Sequence, residues 1–232
     1  MVRSWCLVIT FGLVTGVSVA SPAQGIVGTA GASFQRWSPA DLNNNAAPYW
    51  DNYSGEGQFA NIGYCLSGGP ECVLYDGPPG AIPFWGNVYD QNRDSGGSSD
   101  LNFYFAGALP PGYKATLEGE YAGAIGEFGW FETNSTGSIL GTQHPLFTFT
   151  DTIGTVRNFT PTPFYGYYYS FFGNTFYTIS RFNTVRQDQQ RFAVFEPTPG
   201  AILSTVWIGL DDTPDSDGDY NDMIVSIAPR RP

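Results

Sequence analysis

Phe164-Tyr165-Gly166-Tyr167-Tyr168-Tyr169-Ser170-Phe171-Phe172 is the stretch that decides the fold. Taken with a period of two, Tyr165, Tyr167, Tyr169 and Phe171 fall on one face, and Phe164, Tyr168 and Phe172 on the other. Aromatics on both faces predict a strand packed on two sides, with tyrosine hydroxyls reaching polar partners. A sugar-stacking platform is the alternative. Leu146-Phe147-Thr148-Phe149-Thr150 repeats the alternation, with Phe147 and Phe149 on one face and the two threonines on the other. Further strands are predicted at Phe84–Tyr89, Leu101–Phe105, Lys114–Tyr121, Glu127–Glu132, Thr175–Ser180, Arg191–Glu196, Thr205–Leu210 and Met223–Ile227. Turn residues such as Pro110-Pro111-Gly112 and Pro197-Thr198-Pro199-Gly200 separate them, and no stretch sustains a helical period. The expected fold is all-β, a single antiparallel β-sandwich or jelly-roll-like domain. Residues 24–80, rich in Gly, Pro, Asn and Ser, form its irregular N-terminal part, and residues 81–228 its core.

The first residues set the compartment. Arg3 precedes an apolar run from Trp5 to Val19, and small residues follow at Ser18, Ala20, Ser21 and Ala23. This is the layout of a secretory leader, residues 1–20, with cleavage after Ala20 or Ala23. The run is shorter than a membrane span needs, so no span is expected once the leader is removed. Cys6 lies inside the run, not after it, which argues against a lipid anchor. Losing the leader removes Arg3 and no acid, which takes the formal charge from −11 to −12. A chain this acidic, without a basic run, is no partner for nucleic acid or anionic membrane.

Cys65 and Cys72 remain, as Cys-Leu-Ser-Gly-Gly-Pro-Glu-Cys. The Gly68-Gly69-Pro70 stretch can reverse the chain and bring the sulfurs together, and an oxidising compartment favours closure. Two free buried thiols are the other reading.

Between the last two apolar strands lies Asp211-Asp212-Thr213-Pro214-Asp215-Ser216-Asp217-Gly218-Asp219-Tyr220-Asn221-Asp222. Its six carboxylates repel one another, which is costly in a connection between strands. Calcium wants six to eight oxygens at roughly 2.3–2.6 Å, and Asp211, Asp212, Asp215, Asp217, Asp219, Asn221 and Asp222 could supply them. The spacing of Asp215, Asp217, Asp219 and Asn221 is similar to half an EF-hand loop, but no Glu closes it and strands flank it. A solvated acidic hairpin, with Asp and Asn chosen for turn chemistry, is the alternative.

Candidates for catalysis are few. Glu118 and Glu120 would share a strand face at roughly 7 Å, a spacing compatible with a glycosidase pair and equally with the wet face of a sheet. His144 is the single histidine, precedes Pro145 in an expected turn, and lacks a nucleophile motif.

Trp207-Ile208-Gly209-Leu210-Asp211-Asp212 and Asp217-Gly218-Asp219-Tyr220-Asn221-Asp222-Met223-Ile224-Val225 resemble the C-terminal signature of a bacterial domain of unknown function, family 4114. Asn61-Ile62-Gly63-Tyr64-Cys65, Ile82-Pro83-Phe84-Trp85-Gly86, Glu127-Phe128-Gly129-Trp130-Phe131 and Phe192-Ala193-Val194-Phe195 extend the likeness over about 48–227. It implies an exported β domain with a calcium-associated loop and no assigned activity, of a kind found in proteins with the PEP-CTERM sorting tail. The family usually has Glu-Asp at Asp211-Asp212, and Ala228-Pro229-Arg230-Arg231-Pro232 carries no Pro-Glu-Pro motif. The expected protein is therefore a non-enzymatic, calcium-stabilised secreted or cell-surface domain with a matrix, envelope or adhesion role. Its expected partners are an extracellular polysaccharide or a surface protein. A carbohydrate-binding module and a secreted hydrolase are the alternatives.

Overall fold

The computed structural model describes residues 25–27, 33–35, 61–69, 72–80, 84–86, 102–107, 111–121, 126–148, 150–185, 190–196, 205–211 and 218–230. The expected leader, residues 1–20, and both expected cleavage points lie outside them. Among the described residues no helix is long and apolar enough to cross a membrane.

The strands are β1 (Gly25–Val27), β2 (Ser33–Gln35), β3 (Phe84–Gly86), β4 (Tyr104–Ala106), β5 (Tyr113–Glu120), β6 (Glu127–Glu132) and β7 (Gln143–Phe147). They continue with β8 (Val156–Phe159), β9 (Phe164–Phe171), β10 (Asn174–Tyr177), β11 (Phe192–Phe195), β12 (Val206–Leu210) and β13 (Met223–Pro229). One short helix, α1 (Ile62–Leu66), precedes β3. Every pairing is antiparallel, and the strands form two packed sheets, an all-β sandwich. The first sheet runs β1-β4-β9-β6-β7, with β10 also on β9; the second runs β2-β3-β11-β12-β13-β5-β8.

β9 is two-sided, as its aromatics predict. Tyr165, Tyr167 and Tyr169 enter the core between the sheets, while Tyr168 belongs to a second cluster with Phe131, Tyr177 and Ile179. In the main core Phe105 lies 5.4 Å from Tyr165 and 5.1 Å from Tyr167, and Phe128 lies 5.6 Å from Tyr167. Such offset and edge-on ring pairs add to what area burial alone provides. Two of the strand's hydroxyls find partners: Tyr168 donates to Glu127 Oε1 at 2.7 Å, and the Tyr169 oxygen accepts from the Gly126 N–H at 2.9 Å. Tyr165, Tyr167, Tyr168 and Tyr169 are buried and belong to the core, while Phe172 at the end of the run is exposed.

Three local expectations need correction. β7 begins at Gln143, so His144 and Pro145 lie in a strand, not a turn. Proline is tolerated there because β7 is an edge strand. The predicted strand end at Thr148–Thr150 is instead a turn, in which the Thr148 N–H donates to Asp151 Oδ2 at 2.9 Å; Phe149 lies outside the described residues. β8, not foreseen, pairs with β5 from Thr116↔Val156 to Tyr113↔Phe159.

Candidate functional site

The acidic loop joins β12 to β13, and both its ends sink into the sandwich. At the first end the Asp211 N–H donates to the Arg191 carbonyl at 3.2 Å, which carries the β11–β12 pairing one residue further. Arg191 Nη1 lies 3.5 Å from Asp211 Oδ2, with both side chains only 1% exposed. The guanidinium also sits 5.5 Å over the Phe176 ring. Two ions out of water are tolerable only when they face each other, and a face-on aromatic adds cation–π attraction.

The second end turns at Gly218 (φ 75°) and Tyr220 (φ 58°). A left-handed tyrosine is held there by its surroundings. Its hydroxyl donates to the Gln190 carbonyl at 2.5 Å, and the Asn221 N–H donates to Asp219 Oδ1 at 3.2 Å. The Ile62 N–H donates to the Asp219 carbonyl at 2.8 Å, and the Tyr121 N–H to the Asp222 carbonyl at 3.2 Å. The loop end is thus tied to β11, to α1 and to the end of β5.

Of the predicted metal ligands, Asp211, Asp219 and Asn221 are each 1% exposed, and Asp222 is half-buried. Asp212, Asp215 and Asp217 lie outside the described residues. Among the described residues no group of three His, Cys, Asp or Glu side chains is gathered closely enough to hold a metal. Gly218 and Tyr220 are both left-handed, so the backbone turns on either side of Asp219.

Cys65 and Cys72 are joined by a disulfide, with Cα atoms 4.9 Å apart. Asn61 caps α1, its side-chain oxygen accepting from the Tyr64 N–H at 2.9 Å. Ile62 of α1 packs over Gly209 of β12 and Leu74 over Gly119 of β5, so both cover part of the second sheet. That cover changes the reading of Glu118. A bulge opposite Ile224/Val225 leaves Glu118 out of the register, and it is fully buried, not on a wet face. Its carboxylate accepts from the Asp76 N–H at 2.9 Å and from the Ser226 hydroxyl. Burial pushes its pKa above the usual carboxylate range, against the pull of these two hydrogen bonds. Burial also raises the Glu120 pKa.

A folded-state pKa raised above the unfolded one means that the ionised form costs stability, and that this cost vanishes as pH falls through the raised value. Glu118→Gln keeps an acceptor for Asp76 and a donor towards Ser226 without the charge. It should stabilise the domain by about 1 kcal/mol near pH 7.5, the gain shrinking toward zero near pH 4.5. Thermal melts of both proteins across that range provide the check. A pH-independent difference would mean that Glu118 titrates normally.

His144 stacks on Trp130 with ring centroids 3.9 Å apart, its Nε2 3.1 Å from Glu132 Oε1. Both contacts tie the edge strand β7 to β6. Sequence reasoning missed Arg191 and Asn61 as parts of the loop's footing. An arginine opening the apolar run Phe192-Ala193-Val194-Phe195, and an asparagine before Ile62, were the available signals. In comparisons with protein-family models, curated proteins and solved structures, nothing matches this chain.

Proposed function

We propose that this chain is an exported, non-enzymatic β-sandwich domain of the family-4114 type, stabilised by calcium in its acidic loop and serving a structural or adhesive role at the cell surface. The observation that carries this reading is the crowding of six carboxylates into Asp211–Asp222, the connection between β12 and β13. Carboxylates this close together repel one another, and a hard cation that binds several of their oxygens would relieve the repulsion. Arg191 serves Asp211, and calcium would serve the acids that follow. The ligands proposed are Asp212, Asp215, Asp217, Asp219, Asn221 and Asp222, with Asp211 kept for its ion pair. Because Asp219 and Asp222 also offer their carbonyls to α1 and β5, a bound cation would firm the attachment of both.

The test is melting of the mature chain in millimolar calcium against chelator. At a hundred times its dissociation constant a ligand adds about 2.7 kcal/mol, or roughly 5–10 °C for a chain of this size. Asp217→Ala/Asp219→Ala should abolish the difference. Equal melting of the wild type in both conditions, with no metal in the purified protein, would reduce the loop to an acidic turn.

A further inference from the structure

Tyr75 (58% exposed) lies against Gly154, which Ile153 (45%) and Val156 (43%) flank, and Val73 (75%) stands two residues before it. Tyr75 opens the turn that follows the buried Leu74, closed by the Gly77 N–H donating to the Leu74 carbonyl at 3.1 Å. Gly154 makes room for the tyrosine, because a Cβ there would lie 2.5–3.0 Å from three atoms of the Tyr75 ring. The ring therefore rests on the Gly154 backbone and turns its remaining surface to solvent. Its backbone is fixed from beneath. The Tyr75 N–H donates to the Glu118 carbonyl at 3.0 Å, the Asp76 N–H to the Glu118 carboxylate at 2.9 Å, and Cys72 is held by the disulfide. The platform is thus rigid before anything binds, which removes an ordering cost from binding.

The surroundings distinguish among occupants. Beside the ring Lys114 pairs with Asp76 at 4.0 Å, so the charge at its rim is balanced and attracts neither an anion nor a cation. A second copy adding a strand to the adjacent edge strand β8 is disfavoured. β8 is four residues long, and Arg157, opposite the inward-facing Ala115, places a charge on the inner side of that edge, a device that resists strand addition. Two copies of so acidic a chain, −11 each, would also repel. What fits an apolar ring bordered by balanced donors and acceptors is a neutral ligand with one C–H face and many hydroxyls.

We propose that Tyr75, resting on Gly154 and with the Lys114–Asp76 pair at its rim, is a stacking subsite for a pyranose ring of a neutral polysaccharide. This inference does not depend on the calcium reading. The mature chain should be retarded by affinity electrophoresis in a gel containing at least one of hydroxyethyl cellulose, soluble xylan and galactomannan. Tyr75→Ala should weaken that binding about tenfold and Tyr75→Phe should preserve it, both melting as the wild type does. Val73→Ser, which leaves the ring in place, should weaken it less. Free migration of the wild type in all three gels, or equal retardation of Tyr75→Ala, overturns the proposal. So does self-association at micromolar concentration that Tyr75→Ala abolishes, since the patch would then belong to a second copy.

Discussion

Arg191→Met is expected to lower folding stability by about 3–5 kcal/mol, roughly 10–15 °C in melting temperature. The cause is not the strength of the ion pair. Arg191 and Asp211 are both 1% exposed, so each was stripped of water on folding, and their 3.5 Å contact offsets only part of that cost. Removing the guanidinium leaves Asp211 buried without its counter-charge and takes the cation off the Phe176 face. Met retains most of the apolar stem, so packing loss is small by comparison. Arg191→Met/Asp211→Leu should therefore recover most or all of the loss, because it removes both desolvated charges together. Denaturant unfolding of the wild type, both single variants and the double variant completes the cycle. A double variant as unstable as the sum of the singles would mean that the two side chains do not act on each other.

The parts of this fold that could be read from the sequence are those where burial follows local alternation. Glu127–Glu132 and Phe164–Phe171 are strands because every second aromatic must reach a core, and the faces assigned to Tyr165, Tyr167, Tyr169 and Tyr168 are the ones observed. β8 was missed because only Phe159 of its four residues is buried, so it has no apolar face to recognise. α1, at five residues, is too short for a helical period, and only the Asn61 cap announces it. The burial of Glu118 depends on Asp76, 42 residues earlier, and on Ser226, 108 residues later. No window along the chain contains that information. The site divides in the same way. The cysteine pair and the acidic run are visible as spacing and composition. That the run's ends are buried, with Arg191 against one and α1 against the other, follows from strand register, which brings Phe192 opposite Leu210 and thereby Arg191 beside Asp211.

Gly209→Ala should cost about 3 kcal/mol, although it adds a single methyl group to a strand. Gly209 lies in the middle of β12, opposite Ala193 and Ile224, where alanine would ordinarily be tolerated. A Cβ there, however, would come within 2.0 Å of Ile62 Cδ1 and 2.4 Å of the Tyr220 carbonyl oxygen. The first contact is with the end of a side chain and can be relieved by a rotamer change. The second is with backbone at a left-handed residue, held by the Tyr220 hydroxyl on Gln190 and by the hydrogen bonds on either side. Ile62→Val, which removes Cδ1, should therefore rescue Gly209→Ala only in part. Amide exchange gives a local readout, since the Ile62 N–H that binds the Asp219 carbonyl should lose protection before the β12–β13 ladder does. If calcium occupies the loop, the displaced Tyr220 carbonyl lies between Asp219 and Asn221, and calcium affinity should fall with stability. Wild-type melting of Gly209→Ala, or complete rescue by Ile62→Val, would mean that the Tyr220 backbone yields freely and that the loop is not held by the sheet beneath it.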